Sequence, residues 1–110
     1  MQKLSIDARI REHLERAAAS STGRSAETVY GGHEHVLRQT LITLCAGTEL
    51  AEHENPGEAT LLVLRGRVRL RSGAESWEGR SGDLLLLPAA RHGVEALEDA
   101  AALLTVAKTG

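Results

Sequence analysis

Gly82-Asp83-Leu84-Leu85-Leu86-Leu87-Pro88-Ala89-Ala90-Arg91-His92 sets four leucines between a glycine-aspartate turn and a proline break. Four aliphatics are too few for a stable helix and suit a short strand. A longer version lies upstream, from Gly47 to Gly66. There Gly47-Thr48-Glu49-Leu50-Ala51-Glu52-His53 is followed by the interruption Glu54-Asn55-Pro56-Gly57. Then Glu58-Ala59-Thr60-Leu61-Leu62-Val63-Leu64-Arg65 runs as a second strand into Gly66. Both segments put a histidine where a strand meets a turn.

Outward from these segments the same period-2 grammar continues. Breaks at Gly31-Gly32, Ala46-Gly47, Gly66, Ser72-Gly73, Gly79 to Gly82, Pro88 and Glu98-Asp99 divide the chain. They predict strands near 25–30, 35–44, 49–53, 59–65, 67–72, 75–78, 83–87, 92–97 and 101–107. Many short strands at this spacing imply a sandwich or barrel. Residues 5–20 differ. Ile6, Ile10, Leu14, Ala17 and Ala18 share one face at helical spacing, and Arg11/Glu15 and Glu12/Arg16 pair on the other. Ser5 or Asp7 can cap the start. So short a helix must dock to persist.

One hairpin is legible in detail. Arg65, Arg67, Arg69 and Arg71 alternate with Gly66, Val68 and Leu70. The alternation predicts arginines toward water and aliphatics inward. A turn at Gly73-Ala74 pairs Leu70 with Trp77 inside and Arg69 with Glu78 outside. Trp77 is therefore expected in the interior.

Composition bounds the rest. The 110 residues make one domain. Its core must be aliphatic, because Tyr30 and Trp77 are the aromatics and Phe is absent. A net charge of -2 offers no general field for nucleic acid or anionic membrane. Cys45 stands alone, which excludes an intrachain disulfide or a cysteine zinc cluster. Residues 1–20 carry Arg9, Arg11, Glu12, Glu15 and Arg16 where a secretory signal needs an apolar core. No apolar run reaches spanning length. A cytoplasmic protein is expected, with no membrane or nucleic-acid partner.

The two opening segments, in this order, resemble the paired motifs of the cupin family. The first family motif runs Gly, five residues, His-x-His, three or four residues, Glu, six residues, Gly. The second runs Gly, five residues, Pro-x-Gly, two residues, His. Gly47, His53 and Gly66 match the first; Gly82 and Pro88 match the second, with Ala90 in place of its Gly and His92 one residue early. The likeness spans about residues 40–97. It implies an all-β fold: a small antiparallel jelly-roll barrel (a double-stranded β-helix) at 24–110, with one N-terminal helix at 1–23.

Many cupins hold a divalent metal in the barrel mouth. Carried over, His53 matches the first ligand and His92 the last. Asn55 stands in place of the second His, Ala59 at the Glu position, and Glu58 one residue early. One step along a strand turns a side chain to the other face. Judged on its own, His53, His92 and the Asn55 amide offer two nitrogens and an oxygen, a set suited to Zn, Fe, Mn or Ni. His33 and His35 are further candidates, two apart and on one side if they lie on a strand.

Other templates are absent. His33-Glu34-His35-Val36-Leu37 lacks the second His of the zinc-protease pattern, and no nucleophile elbow, phosphate loop or dinucleotide fingerprint occurs. The expected function is binding of a small molecule, with or without a divalent metal, in a mouth lined by His53, Asn55, His92 and Gln39. Leu62 and Leu64, or their neighbours, would line its wall. Alternatives are a metal-dependent enzyme of oxygenase or isomerase type and a metal-free sensor or interaction domain. A homodimer is expected, because sheet edges and an amphipathic helix need cover.

Overall fold

The computed structural model describes residues 1–54 and 57–108, and of His53 the backbone. The chain opens with helix α1 (Ile6–Ala19), followed by β1 (Arg24–Tyr30), β2 (Leu37–Leu44), β3 (Glu49–His53) and β4 (Gly57–Arg65). Next come β5 (Arg67–Ser72), β6 (Glu75–Arg80), β7 (Leu84–Leu86), β8 (His92–Ala96) and β9 (Ala100–Lys108). Each predicted strand is present, most within two residues of its expected ends. The N-cap of α1 is Ser5, whose hydroxyl accepts from the Ala8 amide at 3.2 Å.

The strands form two antiparallel sheets in the orders β1-β2-β9-β4-β7 and β3-β8-β5-β6. The non-sequential neighbours are those of a jelly roll. The sheets do not close on each other: β1, β7, β3 and β6 are edge strands. Between them lies an aliphatic core that includes Leu44, Leu61, Val63, Val68, Leu70 and Ala102. Leu61 and Val63, not Leu62 and Leu64, therefore face the interior; Leu64 packs on the opposite side, beneath the helix.

The outer face of the five-stranded sheet has its own apolar cluster. Ile10 of α1 packs there with Leu41 and Ala101, flanked by Ile6, Leu14, Val29 and Leu64. The buried helix positions are Ile10, His13 and Ala17. His13 takes the place that the aliphatic pattern assigned further round, and Ala18 is exposed.

The hairpin has the expected register, with Leu70 opposite Trp77 and Arg69 opposite Glu78. Gly73, at φ 59°, opens its two-residue turn. Arg67, Arg69 and Arg71 meet Glu78, Glu95 and Glu98 across the outer surface. Trp77 corrects the expectation of burial, since it is 45% exposed. It shares the face of Leu70 but lies on edge strand β6. Gly66 ends the first segment because the turn into β5 needs φ 72°, and a Cβ there would sit 2.1 Å from the Asp99 carbonyl oxygen.

Candidate functional site

The mouth is the end of the sandwich where β3 stops and β4 and β8 begin. His53 and His92 are paired positions on β3 and β8. The register slips by one residue between Leu50 and His53, so β3 carries one extra residue there. That bulge lets Leu50 pair with Val94 and His53 still meet His92. His92 is 1% exposed, and its Nδ1 donates to the Ala90 carbonyl at 3.2 Å. The two histidines, 39 positions apart in sequence, are thus neighbours on adjacent strands.

Strand parity decides the rest of the lining. On β2, Ile42 and Leu44 belong to the core between the sheets, whereas Leu41 belongs to the cluster under the helix. The β2–β9 register is continuous from Leu37 to Leu44. Thr40 and Arg38 therefore share the inner face with Ile42. Gln39 faces the other way. It donates from Nε2 to Thr105 Oγ1 at 3.2 Å on the outer face, so it does not line the mouth.

Parity also separates the acidic candidate from the site. Ala59, like Leu61 and Val63, is buried on the inner face of β4, and Glu58 is exposed on the outer one. His33 and His35 lie in the exposed loop between β1 and β2, not on a strand, so the shared-face argument does not apply to them. His35 instead stacks edge-on against Tyr30, with ring centres 5.2 Å apart. Asn55 lies outside the described residues.

These placements test a metal site. The inward position where a carboxylate ligand would stand holds the methyl of Ala59. Among the described residues no three His, Cys, Asp or Glu side chains are grouped to hold a metal ion. The described side chains alone do not complete the centre that the resemblance implies.

Chemistry changes along the interior. Away from the mouth, Ile42, Leu44, Leu50, Leu61, Val68, Val94, Ala100 and Ala102 enclose a purely apolar cavity of about 20 Å³. That is room for about one water molecule and no organic ligand. At the mouth the lining turns polar, with Arg38, Thr40 and His92. Arg38 and Thr40 are the lining residues that sequence reading missed. Leu41 and Ile42 are both aliphatic, so the inward parity of β2 was ambiguous.

No family model and no curated protein matches the chain. Solved structures do. A cupin superfamily protein from Desulfitobacterium hafniense superposes with a TM-score of 0.72 at 16% identity, covering 78% of each chain. An RmlC-like cupin from Desulfovibrio desulfuricans matches at 0.67 and 28% identity, over 76% of this chain and 81% of that one. A conserved Streptococcus pyogenes protein of unknown function matches at 0.74 and 25%, over 83% and 79%. The fold class is that of the jelly-roll barrels with paired Gly-to-His motifs. The chain has the cupin fold. Among the described residues no helix is long and apolar enough to cross a membrane.

Proposed function

We propose that this cupin binds a small organic molecule in the mouth between its sheets. The carrying observation is the change of lining along the interior: packed and apolar at one end, with Arg38, Thr40 and buried His92 at the other. Ligand sites are commonly apolar walls with a few placed polar groups. Amide NMR spectra recorded against a small-molecule library test this. Binding should move Thr40, His92 and their neighbours and leave the α1 signals in place. Ligands that move only surface loops would refute it.

A second reading is a divalent metal at the same mouth. It is favoured by the pairing of His53 with His92, with Asn55 as a third donor and a metal such as Zn, Fe, Mn or Ni. Loss of metal uptake in both His53→Ala and His92→Ala would support it; wild-type protein that takes up none at neutral pH would end it. An oxygenase or isomerase activity would need that metal. A chain without it would act as a sensor or binding module.

We place a second copy of the chain on the outer face of the five-stranded sheet. Leu41, Leu103, Leu62 and Leu84 form one row across β2, β9, β4 and β7. The helix covers its first member, whereas Leu84 and the nearby Leu86 and Leu37 are exposed. A leucine-rich face suits a two-fold contact with itself. The lone, half-buried Cys45, free of any disulfide, accords with a cytoplasmic setting.

A further inference from the structure

We propose that the mouth takes a small organic carboxylate, held by the guanidinium of Arg38; this rests on the mouth-binding reading above. Arg38 is a half-buried side chain on the inner face of β2, at the end where the interior opens. The other half-buried arginines each face an acid: Arg9 faces Glu12 and Glu27, Arg67 faces Glu78 and Glu98, and Arg69 faces Glu78 and Glu95. Arg38 has no ion pair among the described residues.

A guanidinium taken partly out of water needs a compensating anion. Among the described residues the neighbouring positions supply none. Arg38 is in register with Val106, and Val106 with Ala59, so the row across β2, β9 and β4 continues as two small apolar side chains. Both are buried. Glu58, next to Ala59 on β4, has the outward parity. Glu27 is engaged with His13 on the helix side. Glu75 has inward parity on β6, but it is exposed beside the Gly73-Ala74 turn.

Lys108 adds positive charge at the rim. Its ammonium donates to the Gly32 carbonyl and so ties the β1–β2 loop across the end of β9. That bond takes one of the three ammonium donors, and Arg38 is the forked donor beside it. A carboxylate fits such a fork with two parallel hydrogen bonds. Thr40, two residues on, presents a hydroxyl on the same face. Val106 and Ala59 beside it provide an apolar wall for the body of the ligand. The result is a site for an anion with an apolar body, with buried His92 on the opposing sheet.

The test uses benzoate and hexanoate, their neutral amides, and inorganic phosphate, each titrated into the full chain at low salt. Binding is followed through the Thr40 and His92 amides. The carboxylates should bind, with the amides about tenfold or more weaker, the usual worth of a charge-assisted hydrogen bond. Arg38→Gln should abolish that preference, and Arg38→Lys should restore part of it. Circular dichroism of each variant confirms that it is folded. Equal binding of acid and amide, or an unchanged preference in Arg38→Gln, overturns the carboxylate assignment and leaves the mouth reading standing. Phosphate binding as tight as the carboxylates overturns the organic class. No response at Thr40 and His92 to any probe overturns the mouth reading itself.

Discussion

His13 on α1 and Glu27 on β1 meet through Nε2 and Oε1 at 2.8 Å, and this contact sits inside the only helix–sheet seam among the described residues. The other ring nitrogen, Nδ1, lies 2.6 Å from Ser25 Oγ. The ring itself is 2% exposed. A polar residue on the buried face of a helix is tolerable because both nitrogens are satisfied. Replacement by Ala removes a buried ring and leaves Ser25 and Glu27 without their partner. His13→Ala should cost about 2–4 kcal/mol of unfolding free energy, read by urea denaturation. A loss under 1 kcal/mol would mean the seam does not depend on this ring.

The same contact sets an acid dependence. The hydrogen bond from His13 holds the Glu27 carboxyl below its ordinary 4.5; burial opposes this, and the charges of Arg9, His13 and Arg16 add to it. A carboxyl lowered on folding stabilises the native state above its unfolded pKa. That contribution fades as pH falls through the folded value. Wild type should therefore lose stability below about pH 4.5 more steeply than Glu27→Gln. Parallel stability curves for the two proteins from pH 6 to pH 3 would contradict this.

Trp77 gives an optical check on the edge of the second sheet. Its ring is nearly half exposed, so its emission should lie toward that of free tryptophan and acrylamide should quench it readily. Blue-shifted, protected emission in a monomer would place it under cover that β6 lacks here.

The leucine face of the first sheet predicts an assembly. Wild-type protein should scatter light as twice the 11.8 kDa chain at micromolar concentration. Leu86→Lys should scatter as a single chain and keep its circular dichroism, because Leu86 is 74% exposed and supports no core. Wild type at the mass of one chain would remove the second copy from that face.

Gly66→Ala forces a side chain into a left-handed position against the Asp99 carbonyl. About 2–4 kcal/mol of destabilisation is expected, seen as a lower midpoint in thermal unfolding. An unchanged midpoint would show that the β4–β5 turn can relax.

Period-2 patterning and turn residues made the strands and the hairpin register legible; the resemblance of the two Gly-to-His segments to the cupin motifs implied the cupin fold and the nearness of His53 and His92. Parity was harder. Alternation reveals which residues share a face, but not which face the second sheet or the helix covers. Gln39 was placed in the mouth for that reason, whereas its parity matches Leu41 under the helix. Trp77 was put inside because sequence does not show where the opposing sheet ends. An apolar count passes over His13, a buried imidazole whose partners lie on another element. His33 and His35 share a side only if they lie on a strand, and the glycines before them extend the loop through both.

Strand β2 has aliphatics on both faces, since one side meets the core and the other the helix. Its hydrophobic pattern alone therefore tolerates a shift by one residue, which would merely exchange one aliphatic set for the other. Thr43 breaks that degeneracy. Its fully buried hydroxyl is directed at the carbonyls of His13 and Ser25, at 3.1 and 3.0 Å. In a slipped strand the hydroxyl would point into the apolar core with no acceptor there, at a cost of about 1–3 kcal/mol. One hydroxyl thus acts as an alignment key: it proofreads how β2 is threaded, against β1 through the Ser25 carbonyl and against the docked helix through that of His13.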